Sequence, residues 1–229
     1  MKASDYYGNI KDRTAAWSPN PSIPPQDDFF RNLSELIAAS GTGGRYLDIG
    51  CQSGSLVRRV QDCFDESFGI DLGSYAEEWK SIPKCKFMVH NLDATGLPFP
   101  DAYFRVVSCI MVLEHVFDVF GLLKETRRVI KPGGMLVLEV PNIGYIKHIA
   151  SLIMGRVPRT GAKLYPFSEL SGWDGQHLHH FTIKESRWLL EYSGFRVKQV
   201  FSRGRWQGIR RVCPTLLYAS IVMVVTVDE

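Results

Sequence analysis

An acidic residue at the end of an apolar stretch, followed at once by a glycine-containing turn, is the part of this sequence best suited to binding a small ligand. The stretch Tyr46-Leu47-Asp48-Ile49-Gly50-Cys51-Gln52-Ser53-Gly54 predicts a buried strand and a tight turn, with a helix from Ser55. Such a turn offers backbone N–H groups and the positive end of a helix to a ligand. Because a loop built only to hold phosphate gains nothing from Asp48, we expect a ligand with an ammonium group. An ordinary strand-to-helix turn is the alternative.

Two more acids follow predicted strands at positions that suit a nucleotide-like ligand. Asp71 ends the second predicted strand, residues 67–71. It lies about 20 residues beyond the glycine loop, the distance at which nucleotide-binding α/β folds place an acid on the ribose hydroxyls. A carboxylate that caps the next helix is the alternative. Asp93 follows the third predicted strand, residues 86–90, and could accept a hydrogen bond from the exocyclic amine of adenine.

These acids require a scaffold in which strands and helices alternate. A helical stripe around Leu122 and Val129 is stopped by Lys131-Pro132-Gly133-Gly134 and precedes a fifth strand at 135–140. The fourth strand is predicted at 105–111, the sixth at 195–200 and the seventh at 221–227. Alternation of this kind predicts a parallel sheet with helices on both faces.

Several motifs resemble those of the class I S-adenosylmethionine-dependent methyltransferases. The glycine loop resembles the family's motif I, usually Asp-x-Gly-x-Gly-x-Gly, with Gln52 in place of the middle glycine. The stretch from Asp93 to Asp101 resembles the segment Asp-Ala-x-x-Leu-Pro-Phe-x-Asp. Leu113-Glu114-His115 and the run from Arg128 to Gly134 also match family motifs, and the resemblance covers roughly residues 45–142.

The resemblance implies a Rossmann-like, seven-stranded, mostly parallel α/β sheet whose last strand is antiparallel, and S-adenosylmethionine as the cofactor. Asp48 would face the amino-acid end of that cofactor, Asp71 the ribose and Asp93 the adenine. Gln52 would cost roughly 1 kcal/mol or more if its position needs a positive φ. The residues implied to bind the cofactor are Asp48, Gly50, Cys51, Gln52, Gly54, Asp71, Leu72, Leu92, Asp93, Ala94 and Met111.

Two histidines are the candidates for catalysis. His115 follows the fourth strand, near where the resemblance places the transferred methyl group, and His177 lies in a predicted lid. A histidine with a near-neutral pKa suits proton removal from an alcohol. The alternative for His115 is a helix-start residue bonded to the backbone. His177, His179 and His180 lack the usual spacing of zinc ligands and have no cysteine close in sequence, so we expect no metal site.

Domain organisation follows from the same patterns. Residues 1–40 are predicted to form an N-terminal arm and a helix, with a possible lid function for Tyr6 and Tyr7. Residues 41–229 form the cofactor-binding domain, with a lid insertion at about 142–181. An apolar helical face around Ile149 is expected to pack on the domain, the alternative being contact with a membrane surface. An arginine cluster, residues 203–211, is expected to be solvated or to bind an anionic substrate.

Composition limits the partners. The chain of 229 residues has a net charge of +3, too small to imply nucleic-acid binding, and an ordinary hydrophobic content of 45%. Five cysteines without a CxxC pair indicate reduced thiols and a cytoplasmic protein, and no signal peptide or membrane-spanning stretch is predicted. We expect a monomer or homodimer with a small-molecule substrate and, at most, peripheral membrane contact.

The predicted function is therefore O-methylation, or N-methylation, of a sugar, metabolite or lipid-linked intermediate. The segment 141–194 resembles methyltransferases of types 11 and 23 from sugar and polysaccharide pathways, and MetW-like proteins. A non-catalytic, S-adenosylmethionine-binding partner protein of MetW type is the main alternative. An NAD-dependent oxidoreductase is less favoured, because Gly50, Gln52 and Gly54 do not fit Gly-x-Gly-x-x-Gly.

Overall fold

A computed structural model of the chain describes residues 26–40, 43–94, 96–160, 177–203 and 207–228. The predicted N-terminal arm with Tyr6, Tyr7 and Trp17 lies outside the described residues. So do the lid segment 161–176 and the central part of the arginine cluster, Arg205 and Trp206.

Seven strands form one sheet in the order β3-β2-β1-β4-β5-β7-β6. The first five strands pair in parallel, and β7 is antiparallel to both of its neighbours, which confirms the predicted fold class. The bounds are β1 Arg45–Ile49, β2 Glu66–Asp71, β3 Cys85–Val89, β4 Phe104–Ile110, β5 Ile130–Pro141, β6 Arg196–Phe201 and β7 Ser220–Thr226.

Helices connect these strands and cover the sheet. The helix at Val119–Val129 carries an apolar stripe, with Leu122, Leu123 and Val129 buried, and such a stripe must pack against the sheet for the helix to be stable. The bounds are α1 Gln26–Ala39, α2 Ser55–Val60, α3 Ala76–Trp79, α4 Val119–Val129, α5 Ile146–Ile153, α6 Ile183–Tyr192, α7 Gln207–Arg210 and α8 Pro214–Leu217, with 3-10 turns at Gln61–Cys63 and Leu113–His115.

Two apolar layers lie on opposite faces of the sheet, because side chains alternate along each strand. Leu47 and Ile49 of β1 belong to the layer with α4 and α6, whereas Tyr46 belongs to the layer with α1 and α2. The sheet is therefore covered on both sides, and its carboxyl edge is the place where the strand ends and loops can meet a ligand.

The segment Lys131-Pro132-Gly133-Gly134 belongs to β5, so the predicted start of the fifth strand at residue 135 is wrong. Helix α4 ends at Val129, just before this segment, as predicted. Strand β5 begins at Ile130, and the pairing with β4 jumps from Phe104↔Ile130 to Val106↔Met135. The Gly133 N–H donates to the Val227 carbonyl over 3.0 Å, and the Val227 N–H donates to the Gly134 carbonyl. These bonds to the end of β7 extend the strand through a bulge.

An isolated bridge between Asn142 and Phe181 closes the base of the segment that follows β5. Asn142 is fully buried, and its side-chain amide donates to the carbonyls of Thr215 (2.9 Å) and Tyr218 (2.7 Å). The Thr182 hydroxyl then accepts from the Glu185 N–H and so caps the start of α6. The chain thus leaves and re-enters the sheet domain at one fixed point.

Helix α5 exposes the apolar face that we expected to pack on the domain, so that expectation is wrong. None of its residues is buried, and Ile153 keeps 82% of its surface exposed. The helix has only eight residues and lies beyond the carboxyl end of β5, where the described chain buries none of them. Among the described residues, every helix is too short or too polar to cross a bilayer.

The sequence suggested that the arginine cluster is solvated, but the side chain of Arg203 is largely buried. Its Nε donates to Glu139 Oε1 over 2.7 Å, and the Glu139 side chain is fully buried in β5. Arg210 donates from Nη1 to the Arg203 carbonyl over 2.7 Å. This part of the cluster therefore neutralises a buried carboxylate, which would be costly to leave unpaired.

Candidate active site

The glycine loop forms the tight turn that the sequence predicts at the end of β1. Gly50 has a φ of +73°, and the Gly50 and Cys51 N–H groups donate to the Ile70 carbonyl over 2.8 and 3.2 Å. Gln52 also has a positive φ, +45°, so the strain expected for a side chain in place of glycine is present. Its N–H donates to Asp71 Oδ2 and its carbonyl accepts from Trp79 Nε1, over 2.9 and 2.8 Å. These bonds hold the strained residue in place.

Asp48 lies in a buried hydrogen-bonded chain that sequence reasoning missed. Ser108 donates to Asp48 Oδ1 over 2.5 Å, and the Tyr46 hydroxyl lies 2.6 Å from the Ser108 hydroxyl. Burial raises the pKa of Asp48 to about 7, the Ser108 bond partly offsets this, and the nearby Asp71 adds to it. Ser108 gave no signal in the sequence, because only the β1–β4 register places it opposite Asp48.

Asp71 holds the loop together at the end of β2. Its Oδ1 accepts from the Gly73 N–H over 2.9 Å, in addition to the bond from Gln52 to Oδ2. Burial raises the pKa of Asp71, and its bonds from backbone N–H groups, including that of Leu72, oppose the rise. Cys51 is buried beside it, and burial raises the pKa of this thiol so far that it stays protonated.

Asp93 binds the protein's own backbone. Its Oδ1 accepts from the N–H groups of Phe117 and Asp118 over 2.9 and 3.3 Å, a contact that the sequence did not suggest. With Leu92 and Ala94 it lines a cavity of about 170 Å³ that also touches α4. A larger cavity, about 760 Å³, is lined by residues such as Pro132 and Val227 at the opposite edge of the sheet, away from the strand tips.

The end of β4 carries the second strained residue of the site. Met111 has a φ of +55°, and its N–H donates to the Glu139 carbonyl over 2.9 Å. Non-glycine residues at positive φ cluster at functional sites, because such strain persists only where the surrounding structure fixes it. The chain then enters the 3-10 turn Leu113–His115.

The two histidines proposed for catalysis lie next to each other. The ring centroids of His115 and His177 are 4.8 Å apart, with the planes at 75°. The N–H groups of Leu178 and His179 donate to the Glu114 carbonyl over 2.7 and 3.3 Å, which ties the end of the insertion to the turn after β4. His179 makes a different contact, from Nε2 to the Val116 carbonyl.

Comparison with known proteins identifies the family of this chain. The family pattern of the methyltransferase domain matches residues 25–200. The chain therefore belongs to the S-adenosylmethionine-dependent methyltransferases.

Relatives with assigned activities align with part of the chain. The 27-O-demethylrifamycin SV methyltransferase of Amycolatopsis mediterranei is 33% identical over 42% of this chain and 38% of its own length. The ubiquinone biosynthesis O-methyltransferase of Pseudomonas fluorescens is 28% identical over 58% of this chain and 63% of its own length. The chain spans about half the length of most curated relatives it matches.

A solved structure shares the fold over the whole chain. The 1,6-didemethyltoxoflavin-N1-methyltransferase of Burkholderia thailandensis, with 1,6-didemethyltoxoflavin and S-adenosylhomocysteine bound, superimposes with a TM-score of 0.67. It covers 100% of this chain and 92% of its own, at 15% identity. At that identity the likeness concerns the fold alone.

Proposed function

We propose that this protein transfers a methyl group from S-adenosylmethionine to an oxygen, or a nitrogen, of a small-molecule acceptor. The observation that carries the proposal is the pair His115 and His177, in contact beside the end of β4. An imidazole there suits removal of a proton from an alcohol as the methyl group is transferred. The relatives named for O-methyl transfer support an oxygen acceptor.

The cofactor supplies an activated methyl group when it is bound, and the residues at the strand tips fit it. We propose that Asp48 faces its amino-acid end, Asp71 its ribose and Asp93 the region of its adenine, beside Leu92, Ala94 and the cavity that they line. A buried carboxylate such as Asp48 gains most from a ligand that brings a positive charge. The protein's main task is then to hold donor and acceptor in line.

Asp71→Ala is expected to weaken binding of S-adenosylmethionine by about 1.5–3 kcal/mol, roughly 10–150-fold, because a charge-assisted pair of hydrogen bonds is lost. Isothermal titration calorimetry measures the affinity. Asp62→Ala is the matched control, since it removes the same charge from an exposed position in the 3-10 turn after α2. Unchanged affinity in Asp71→Ala would contradict the ribose assignment.

Binding of S-adenosylmethionine is expected to weaken as the pH falls from 7.5 to 5.5. The pKa of Asp48 in the free protein is about 7, so below that pH the carboxyl must lose a proton before it can face an ammonium group. The affinity should fall by up to about tenfold per pH unit. Calorimetry across this range in Asp48→Asn should show a flatter profile. An equally flat profile in the unaltered protein would rule out the ammonium contact.

The proposed reaction is tested by turnover with a panel of acceptors. S-Adenosylhomocysteine release is measured with sugars, phenols and amines offered in turn, and the methylated product is identified by mass spectrometry. Release that depends on a hydroxyl or amine acceptor supports the proposal. Tight cofactor binding without turnover on an extract of small metabolites would instead support the non-catalytic partner protein.

A further inference from the structure

The side chain of Glu114 is buried next to the two histidines without a hydrogen-bond partner. It retains 1% of its accessible surface, and neither Oε1 nor Oε2 is bonded to another described residue. Native proteins rarely bury a polar atom without a partner, because its lost hydration is not replaced. Two unpartnered oxygens on one carboxyl group therefore indicate a ligand that is bound there in the working protein.

The neighbours of Glu114 are metal-ligating groups. One ligand atom each from Glu114, His115 and His177 lies within 4.8 Å of the others. Among the residues that the structure describes, this is the cluster of histidine, cysteine and carboxylate groups that meets this spacing. Around a tetrahedral zinc ion with bonds of about 2.0–2.2 Å, ligand atoms lie roughly 3.3–3.6 Å apart, so the separations in the cluster would contract by at most about 1.5 Å.

We propose that Glu114, His115 and His177 bind one divalent transition-metal ion, with Zn²⁺ as the best match. One carboxylate oxygen and two imidazole nitrogens form a ligand set typical of catalytic zinc sites, which keep a further position open. The sequence alone does not show this ligand set, because Glu114 and His115 follow β4 whereas His177 lies far along the chain, at the end of the insertion.

The surrounding bonds fix the ligands before any ion binds. The Leu178 and His179 N–H groups donate to the Glu114 carbonyl, which joins the two ligand-bearing segments. Thr160 Oγ1 lies 2.6 Å from His177 Nδ1 and so sets the orientation of that ring. Outer hydrogen bonds of this kind orient the histidines in known metal sites.

An ion here would have a use in the proposed reaction. A bound cation lowers the pKa of an oxygen that it ligates, so an acceptor hydroxyl at the open position would lose its proton more easily. This use rests on the proposed function, whereas the metal site does not. The competing explanation is a protonated Glu114 with no ion, since burial raises the pKa of Glu114 to about 8.

The test is a titration of the chelator-treated, full chain with ZnCl₂ at pH 7.5, without cofactor or acceptor. We expect one ion per chain by calorimetry, and at least a 100-fold loss of affinity in both Glu114→Gln and His177→Ala. His180→Ala is the matched control, because it removes an exposed histidine of the same segment from outside the cluster. Absence of binding, or equal affinity in all variants, overturns the proposal.

A second measurement keeps the proposal testable if a variant misfolds. The unaltered chain is titrated with Co²⁺, and its visible absorption is recorded. A spectrum of oxygen and nitrogen ligation supports the site, whereas a thiolate charge-transfer band places the ion on the free cysteines and overturns it. Both readouts are independent of methyl transfer, so failure of the proposed reaction would leave them unaffected.

Discussion

His115→Ala is expected to slow methyl transfer by about 10²–10⁴-fold while S-adenosylmethionine binds with nearly unchanged affinity. The ring lies just after β4 in contact with His177, whereas the glycine loop is held by Asp71, which accepts from the N–H groups of Gln52 and Gly73. Its loss should therefore affect the acceptor side of the site and spare the cofactor side. Turnover and cofactor affinity are measured separately, with an acceptor found by the panel.

His180→Ala is the control for this experiment, because the exposed His180 shares the segment of His177 but not the ring contact. Less than a tenfold loss of turnover in both His115→Ala and His177→Ala would exclude catalysis by these histidines and favour positioning alone. The dependence on metal separates two ways in which they could act. If the histidines act as a general base, turnover of the unaltered protein persists after treatment with a chelator. If they act as metal ligands, turnover is lost and returns when Zn²⁺ is added.

Gly50→Ala is expected to destabilise the fold by about 2–5 kcal/mol. A Cβ atom on Gly50 would lie 2.2 Å from Cγ2 of Val112, and φ is +73°. The left-handed backbone contributes about 1–2 kcal/mol and the forced repacking about 1–3 kcal/mol. Urea unfolding, monitored by circular dichroism, measures the loss. The loop should also bind S-adenosylmethionine less tightly, because its backbone must shift.

Two further variants separate the backbone contribution to this loss of stability from the packing contribution. Gly155 has a similar φ of +70°, but a Cβ atom there meets nothing within 4 Å. Gly155→Ala should therefore cost only the backbone part. Combining Gly50→Ala with Val112→Ala removes the methyl group that collides, so a double-mutant cycle should recover the packing part. Additive losses in that cycle would show that the contact with Val112 is not the cause.

The presence of the strands and the position of the acids along the chain could be predicted because both depend on local sequence. Apolar runs predicted all seven strands, and each of Asp48, Asp71 and Asp93 lies near or just beyond the end of a strand, as expected. The motif has a glycine at the position of Gln52, so the cost of a positive φ there could be stated from the sequence, and Gln52 does have a positive φ.

The contacts around those acids could not be predicted, because they depend on the register between strands and on distant segments. Ser108 reaches Asp48 only through the pairing of β1 with β4. The bonds from Phe117 and Asp118 to Asp93 depend on the path of the chain before α4. The exposure of α5 is the reverse of what its apolar face suggested, because periodicity shows that one face is apolar but not what covers it.

The bridge between Asn142 and Phe181 allows most of the segment between them to change in length and sequence without changing the sheet. The bond from the Ile143 N–H to the Phe181 carbonyl joins the two ends of that segment, and the Asn142 side chain ties the first end to the carbonyls of Thr215 and Tyr218. Replacing residues 144–176 with a shorter or longer sequence, while His177, Leu178 and His179 keep their contacts with residues 114–116, would leave the register of β5 and β7 unchanged, since the cost of loop closure grows only slowly with length. Related proteins could then differ in their acceptor through this segment and still share the same cofactor-binding strands and loops.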